Sequence, residues 1–175
     1  RWGILATGGI AGAFARALPF VPDSTLVAVG SRTADRAEAF GGQYAIPRRH
    51  GSYEALAADP EVDVIYVASP HAFHAEHAAL CLEHGKAVLC EKAFTINAAE
   101  ARRHVDTARS RKRFLMEALY TRHLPLVKEV KRRVDAGQIG EVRMVTANRC
   151  SRGGPFPPGG RHMTLALGGG SLLDV

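Results

Sequence analysis

The chain has 175 residues, 46% of them hydrophobic and 23% charged, with a formal net charge of +6; this is the balance of a globular protein and excludes a disordered or fibrous class. Its basic residues are spread over several helical segments and interleaved with Glu and Asp, which describes a surface suited to a small anionic ligand, with no nucleic-acid face. Cys81, Cys90 and Cys150 are too widely spaced for a disulfide framework or a metal knuckle, and no apolar run reaches the roughly 18–20 residues of a membrane helix, so a cytoplasmic protein without a membrane partner is expected.

Residues 1–18 imitate a secretory leader, but Arg16 interrupts the apolar stretch and a strand-like segment follows at once. The chain starts at Arg1 without Met and stops within the apolar run Leu172-Leu173-Asp174-Val175, so it is expected to be a fragment holding one domain and the start of another.

In chain order, residues 2–7 form an apolar run ending at glycines, and residues 9–18 carry an Ala-rich helical period: strand, tight turn, helix. Residues 24–31 read as a second strand, and Thr33 can cap a helix over 34–41 that Gly41-Gly42 stops. A weak strand at 48–50 precedes a helix capped by Ser52 and closed before Asp59-Pro60. Residues 63–69 (DVIYVAS) are nearly all apolar and β-branched, as expected of a central strand buried on both faces.

A helix over 73–84 then ends at Gly85, and residues 86–90 form a strand. A helix capped by Asn97, with Glu100 three residues on, runs to 111, and residues 114–118 are a sixth strand. Such alternation predicts an α/β fold with a doubly wound parallel sheet. Beyond about residue 120 the pattern changes: a helix at 123–136 ends at Gly137, residues 141–150 alternate as a half-exposed strand does, and 151–161 are a Gly/Pro-rich loop. The expected domains are 1–120, nucleotide-binding, and 121–175, the beginning of a second.

A dinucleotide site needs a strand aimed at the ligand, a turn small enough for backbone N–H groups to reach a pyrophosphate, and a helix N-terminus facing that charge. Residues 3–18 have this order. The glycine fingerprint appears as Ala6-x-Gly8-x-x-Ala11, with Gly9 beside the retained glycine and Gly12 one position late, so Gly8, Gly9, Ile10 and Ala11 are the candidate phosphate contacts. Alone, the turn also fits a structural β-turn-α unit.

At the end of the second strand a NAD site would carry Asp or Glu for the ribose 2′-OH. This chain has Ser31-Arg32, with Arg36 a helical turn on, a chemistry that suits a 2′-phosphate and so favours NADP over NAD. His71, His74 and His77 recur every three residues, but they are read as strand-exit and helix residues with no metal.

Ser69-Pro70-His71-Ala72-Phe73-His74 lies at the C-terminal end of the central strand, where ligands bind in open α/β sheets, and Gly85-Lys86-Ala87-Val88-Leu89-Cys90-Glu91-Lys92 follows. With RWGIL, GSYEALAADPEVDVIYVAS, NAAEA, ARSR, FLMEA and GGGSLLDV spread along the chain, the sequence resembles the glucose-fructose oxidoreductase / inositol dehydrogenase / rhizopine-catabolism oxidoreductase family. The resemblance implies a Rossmann domain followed by an α/β domain whose open antiparallel sheet forms the substrate face and a homo-oligomer interface, most of it outside this chain.

It also implies roles. Lys92 matches the lysine of the family's Glu-Lys-Pro and would reach the nicotinamide side and the reacting hydroxyl, where an ammonium stabilises a developing alkoxide. Asp174 matches the aspartate of Gly-Gly-x-Leu-x-Asp, which binds substrate and orients a proton relay whose His or Tyr lies beyond Val175. Ser69, Pro70, His71 and His74 would border the nucleotide, and Glu91 would support the lysine loop. Ala93 replaces the family proline and relaxes the backbone after Lys92, and Arg122-His123-Leu124-Pro125 resembles a structural interdomain segment. The implied activity is hydride transfer between NADP and a secondary alcohol or carbonyl of a sugar, polyol or cyclic dihydrodiol. The alternative is a non-catalytic ligand sensor of the same fold, against which the retained Lys92 argues.

Overall fold

Short runs rich in Val, Ile, Leu and Ala are too brief for helices and too apolar for loops, and in this structure, a computed structural model that describes residues 1–148 and 159–170, they form strands. These are β1 (Trp2–Leu5), β2 (Leu26–Gly30), β3 (Arg48–His50), β4 (Val64–Val67), β5 (Ala87–Cys90) and β6 (Leu115–Glu117). Between them run α1 (Gly9–Ala17), α2 (Ala34–Gln43), α3 (Tyr53–Ala58), α4 (His74–Glu83) and α5 (Ala98–Ser110); α6 (Pro125–Asp135) follows the sheet. The strand order is β3-β2-β1-β4-β5-β6, and every pairing is parallel. This is the doubly wound Rossmann arrangement, with its switch of direction between β1 and β4.

Alternation within the strands sends neighbouring residues to opposite faces. Ile4, Val29 and Tyr66 pack with Ala11 and Ala15 of α1 and Phe40 of α2. Leu5, Ile65, Val67 and Val88 pack with Leu56 of α3, Ala78 and Leu82 of α4 and Ala108 of α5. Each such fully buried aliphatic side chain contributes roughly 1.5–3 kcal/mol. Because α3, α4 and α5 share one face, the α1 face of β4, β5 and β6 keeps an open groove of about 470 Å³ floored by Tyr66, Leu89 and Met116.

The helix ends follow the sequence with two differences. Ser52 accepts the Ala55 N–H at 3.1 Å, and Asn97 accepts the Glu100 N–H at 2.9 Å while its amide donates to the Glu100 carboxylate at 2.9 Å. Thr33 stands at the N-cap of α2 without a side-chain cap bond. The first difference is that Gly41-Gly42 does not stop α2. The helix runs through both and ends after Gln43, where Ala45 takes φ 54° and the Ile46 N–H reaches the Gly41 carbonyl at 2.8 Å. Gly41 is a packing glycine, since a Cβ there would strike the Arg49 side chain.

The second difference is the strand expected over 141–150. Residues 142–148 pair with no strand among the described residues, Met144 and Val145 are 83% and 82% exposed, and 149–150 lie outside the described residues. An alternating segment becomes a strand only when a neighbour completes its ladder. Most of the predicted 151–161 loop also lies outside the described residues, and residues 161–163 form a 3₁₀ turn. α6 begins at Pro125, in its first turn, and buries no residue.

One polar knot ties the edge of the sheet to its centre. The Asp59 side chain, fully buried at the end of α3, accepts from Arg48 Nε at 2.6 Å and the Glu61 N–H at 2.9 Å and pairs with His50 Nε2 at 2.8 Å. Buried Lys86 adds bonds to the Asp59 and Val62 carbonyls at 2.5 and 2.7 Å. Burial pushes the Asp59 carboxyl up, but the hydrogen bonds outweigh it and bring its pKa down to about 2 from 3.8. A carboxylate depressed by folding stabilises above its unfolded pKa and loses that contribution as pH falls through the folded value. Asp59→Asn is therefore expected to lose about 2 kcal/mol in urea unfolding at pH 7, with the gap to the wild type closing between about pH 4 and pH 2. A gap independent of pH would show that the charge is not its source.

Candidate functional site

β1 brings the chain to the C-terminal edge of the sheet at Ala6, whose N–H donates to the Gly30 carbonyl at 3.0 Å and whose φ is 81°. A left-handed φ explains why glycine usually opens this fingerprint; an L-residue there costs about 1–2 kcal/mol. Gly8 is the N-cap of α1, with no side-chain cap bond and no acidic residue in the first turn, so the positive end of the helix faces out of the turn. A Cβ at Gly8 or Gly9 would meet nothing within 4 Å, and Ile10 is half exposed. Ala11 differs: its methyl is fully buried in the helix–sheet contact, so only its main chain faces the turn. Gly12 is a packing residue as well, because a Cβ there would strike the Tyr44 hydroxyl.

At the end of β2, Ser31 turns inward: it is buried, and its N–H bonds the His50 carbonyl at 3.0 Å. Arg32 and Arg36 are exposed, and their charges reach Tyr53. Burial raises the Tyr53 phenol pKa, while the two guanidinium charges act to lower it. The Tyr53 ring meets His77 edge-on with centroids 4.6 Å apart, Phe73 stacks with His77 at 5.9 Å, and His77 Nδ1 bonds the Ser69 hydroxyl at 2.8 Å. Burial lowers the His77 pKa.

Beside Ser69 and within reach of the Arg32 and Arg36 charges the structure thus gathers three residues absent from the sequence-based site: Tyr53, Phe73 and His77. A signal existed for them. Tyr53 directly follows a helix cap at the ligand-binding edge, and Phe73 and His77 are four residues apart on one helix face.

From β4 the chain passes Ser69 and Pro70 into a 3₁₀ turn (His71–Phe73) and α4. His71 is buried, with Nδ1 3.2 Å from the Gly168 carbonyl. His74 is fully buried and spans two main-chain carbonyls, Ser69 O from Nε2 and Ala93 O from Nδ1, both at 2.7 Å. Burial lowers its pKa against the pull of those carbonyls. His74 therefore links the exit of β4 to the lysine loop and presents no ring edge to a ligand. The three histidines are linked to one another: the His71 and His74 rings meet edge-on with centroids 5.6 Å apart, and His74 and His77 both bond Ser69, at its carbonyl and its hydroxyl.

Lys92 follows β5, half buried, and its N–H donates to Glu91 Oε2 at 3.1 Å. Glu91 Oε1 accepts the Tyr66 hydroxyl at 2.5 Å, and burial together with that carboxylate raises the Tyr66 pKa. The Lys92–Ala93 peptide bond is cis. The Phe94 N–H donates to Glu117 Oε1 at 2.9 Å. Gly168, at φ 73°, lies against His71 and Ile96, where a Cβ would sit 2.8 Å from His71 Cβ, so the late glycine run returns to the lysine loop. Asp174 lies outside the described residues.

Residues 1–119 match the profile of an oxidoreductase family with an NAD-binding Rossmann fold. The chain is 43% identical over 177 residues to trans-1,2-dihydrobenzene-1,2-diol dehydrogenase of Sus scrofa, covering 100% of this chain and 52% of that protein. It is 42% identical over 195 residues to D-xylose 1-dehydrogenase (NADP(+)) of Hypocrea jecorina, covering 100% of this chain and 50% of the relative. The chain spans about half the length of the curated relatives it matches. Among solved structures, KijD10, a 3-ketoreductase from Actinomadura kijaniata in complex with NADP and TDP-benzene, is similar with a TM-score of 0.84 and 33% identity, over 100% of this chain and 53% of that one.

Two glycines at the site are expected to respond unequally to alanine. At Gly30 a Cβ would lie 2.8 Å from Leu56 Cβ and 3.2 Å from the Ser52 carbonyl, neither of which can move cheaply. Gly30→Ala should cost about 1–3 kcal/mol in thermal or urea unfolding, and Gly8→Ala should cost less, about 0.5 kcal/mol, from the N-cap preference for glycine over alanine alone. Equal losses would contradict the open space above Gly8.

Proposed function

Since the chain belongs to the Gfo/Idh/MocA oxidoreductase family, with its NAD-binding Rossmann fold, we propose that it is the cofactor-binding half of an NADP-dependent dehydrogenase or reductase. The reaction moves a hydride between NADP and a secondary alcohol or carbonyl of a sugar, polyol or cyclic dihydrodiol. The observation that carries this reading is a single line of groups along the C-terminal edge of the sheet: the open turn at Gly8 and Gly9, the Arg32–Arg36–Tyr53 cluster, and the Lys92 loop.

The main chain of Gly8, Gly9, Ile10 and Ala11 at the N-terminus of α1 holds the pyrophosphate, where the helix charge favours an anion. Arg32 and Arg36, beside the Ser31 main chain, pair with the 2′-phosphate, and Tyr53, Phe73 and His77 give the adenosine an aromatic wall. Ser69, Pro70 and His71 border the cofactor beyond the exit of β4, while His74 and Glu91 hold the backbone around it. NADP, when bound, supplies the hydride donor or acceptor. Lys92 hydrogen-bonds the reacting oxygen and stabilises charge developing there, and Asp174 orients the substrate hydroxyl.

The domain boundary falls near residue 120, supported by the end of the sheet at Glu117 and by an α6 that buries no residue. The second domain supplies an antiparallel sheet for substrate and for homo-oligomer contact. A cytoplasmic setting suits Cys81 and Cys90, both buried free thiols.

In fluorescence titration NADPH should bind at least about tenfold more tightly than NADH, and Arg32→Ala should remove that preference, since a charge-assisted bond is worth about 1.5–3 kcal/mol. Equal affinities in the unaltered protein would overturn the 2′-phosphate assignment. In the full-length protein Lys92→Ala should lower turnover by about 10²–10⁴ while leaving the NADPH Kd within about threefold. Unchanged turnover would remove Lys92 from the chemistry, whereas NADPH binding without turnover in the unaltered full-length protein would leave a ligand sensor as the reading.

A further inference from the structure

The sheet ladder ends just before the lysine. Ala118 N–H reaches the Cys90 carbonyl at 2.7 Å and Glu91 N–H reaches the Val67 carbonyl at 3.0 Å. Over the next three residues the main chain is held by side chains, His74 and Glu117 from other elements and Glu91 and Cys90 from the end of β5. Glu91 Oε2 takes the Lys92 N–H, His74 Nδ1 meets the Ala93 carbonyl, Glu117 Oε1 takes the Phe94 N–H, and Cys90 Sγ approaches the Phe94 carbonyl at 3.8 Å. A segment suspended in this way shifts when one support is removed, whereas a ladder segment keeps its neighbours' bonds. The two carboxylate supports are the stronger kind, because an ionised acceptor shortens and strengthens an N–H bond.

These supports approach from opposite sides. Glu91 lies in the α1-side groove, where Tyr66 holds it, and Tyr66 stacks on Phe14 of α1 with ring centroids 4.0 Å apart. Glu117 opens instead on a groove of about 490 Å³ beside α5, which Phe94 also lines. Resting on the assignment of Lys92 to the reacting hydroxyl, we propose that Glu117 and the Tyr66–Glu91 pair are positioning residues that fix Lys92 from both faces of the sheet. The α1 side does more than hold the loop: it ties the lysine to the same helix whose first turn receives the phosphates. Distance errors at a reacting centre are expensive, a displacement of about 1 Å reducing rate by about 10²-fold.

The test is a mutant cycle in the full-length enzyme. Glu117→Ala and Tyr66→Phe should each lower kcat by about 10- to 100-fold, with the NADPH Kd changed by less than about threefold. Glu117→Gln keeps an oxygen that accepts the Phe94 N–H, and should recover kcat to within about threefold of the wild type. Placed on Lys92→Ala, the Glu117→Ala and Tyr66→Phe changes should cost less than about threefold more, because they act through the lysine. Full additivity on that background, or a Glu117→Gln as slow as Glu117→Ala, would overturn the positioning role while sparing that of Lys92. If Lys92→Ala alone keeps full turnover, the reading beneath the proposal falls and the proposal with it. Tyr66→Phe removes one oxygen and keeps the ring, so it still decides the question should Glu117→Ala fail to fold.

Discussion

Parallel pairing obliges all six strands to finish at one edge of the sheet, and each right-handed crossover returns the chain to begin the next strand at the other edge. Residues far apart in sequence are thereby delivered side by side. Ala6, Ser31, Ser69 and Glu91 each follow the end of a strand, and the order switch between β1 and β4 parts the adjoining loops into a crevice. The ladder is the constraint beneath everything else at this edge, because it sets the turn, the arginines and the lysine loop side by side before any side chain joins them.

Apolar packing fixes the sheet, but charge and hydrogen bonding fix its working edge. The two core clusters clamp β1 and β4 from both faces, which leaves these strands no freedom to slide. Beyond the last ladder bonds the main chain after β5 is caught by His74, Glu91 and Glu117, and after β4 the Ser69 hydroxyl is bonded by His77. Buried polar contacts of this kind are costly to leave unmade, so each restricts its loop to one arrangement. The Asp59 knot plays the same part on β3, where a three-residue strand offers little packing of its own.

Much of the fold was legible because strand and helix periods differ and because caps are chemically distinctive. All six strands and the helices between them stand where the pattern puts them, and Ser52 and Asn97 cap as their side chains suggest. What could not be read was spatial. Gly41-Gly42 looks like a stop until Arg49 is seen crossing Gly41, and that the Ala11 methyl packs in the core while its main chain faces the turn is seen only once α1 lies on the sheet. Residues 141–148 carry the alternation of a strand, but a strand is a property of a pair, and one segment's pattern cannot tell whether its partner is at hand. The candidate site was legible as segments, by motif, while Tyr53, Phe73, His77, Tyr66 and Glu117 enter it only through contacts across elements.

The contact between His71 and Gly168 spans 97 residues and involves a backbone carbonyl at a left-handed glycine. Contacts of such long sequence separation form late, after the entropy of closing the intervening chain has been met. The last strand pairing is made at Glu117, so the C-terminal edge of the sheet is built first and Gly168 docks onto it afterwards. Assembly thus has a direction: as the chain emerges during synthesis, the sheet is finished before Gly168 arrives to meet His71.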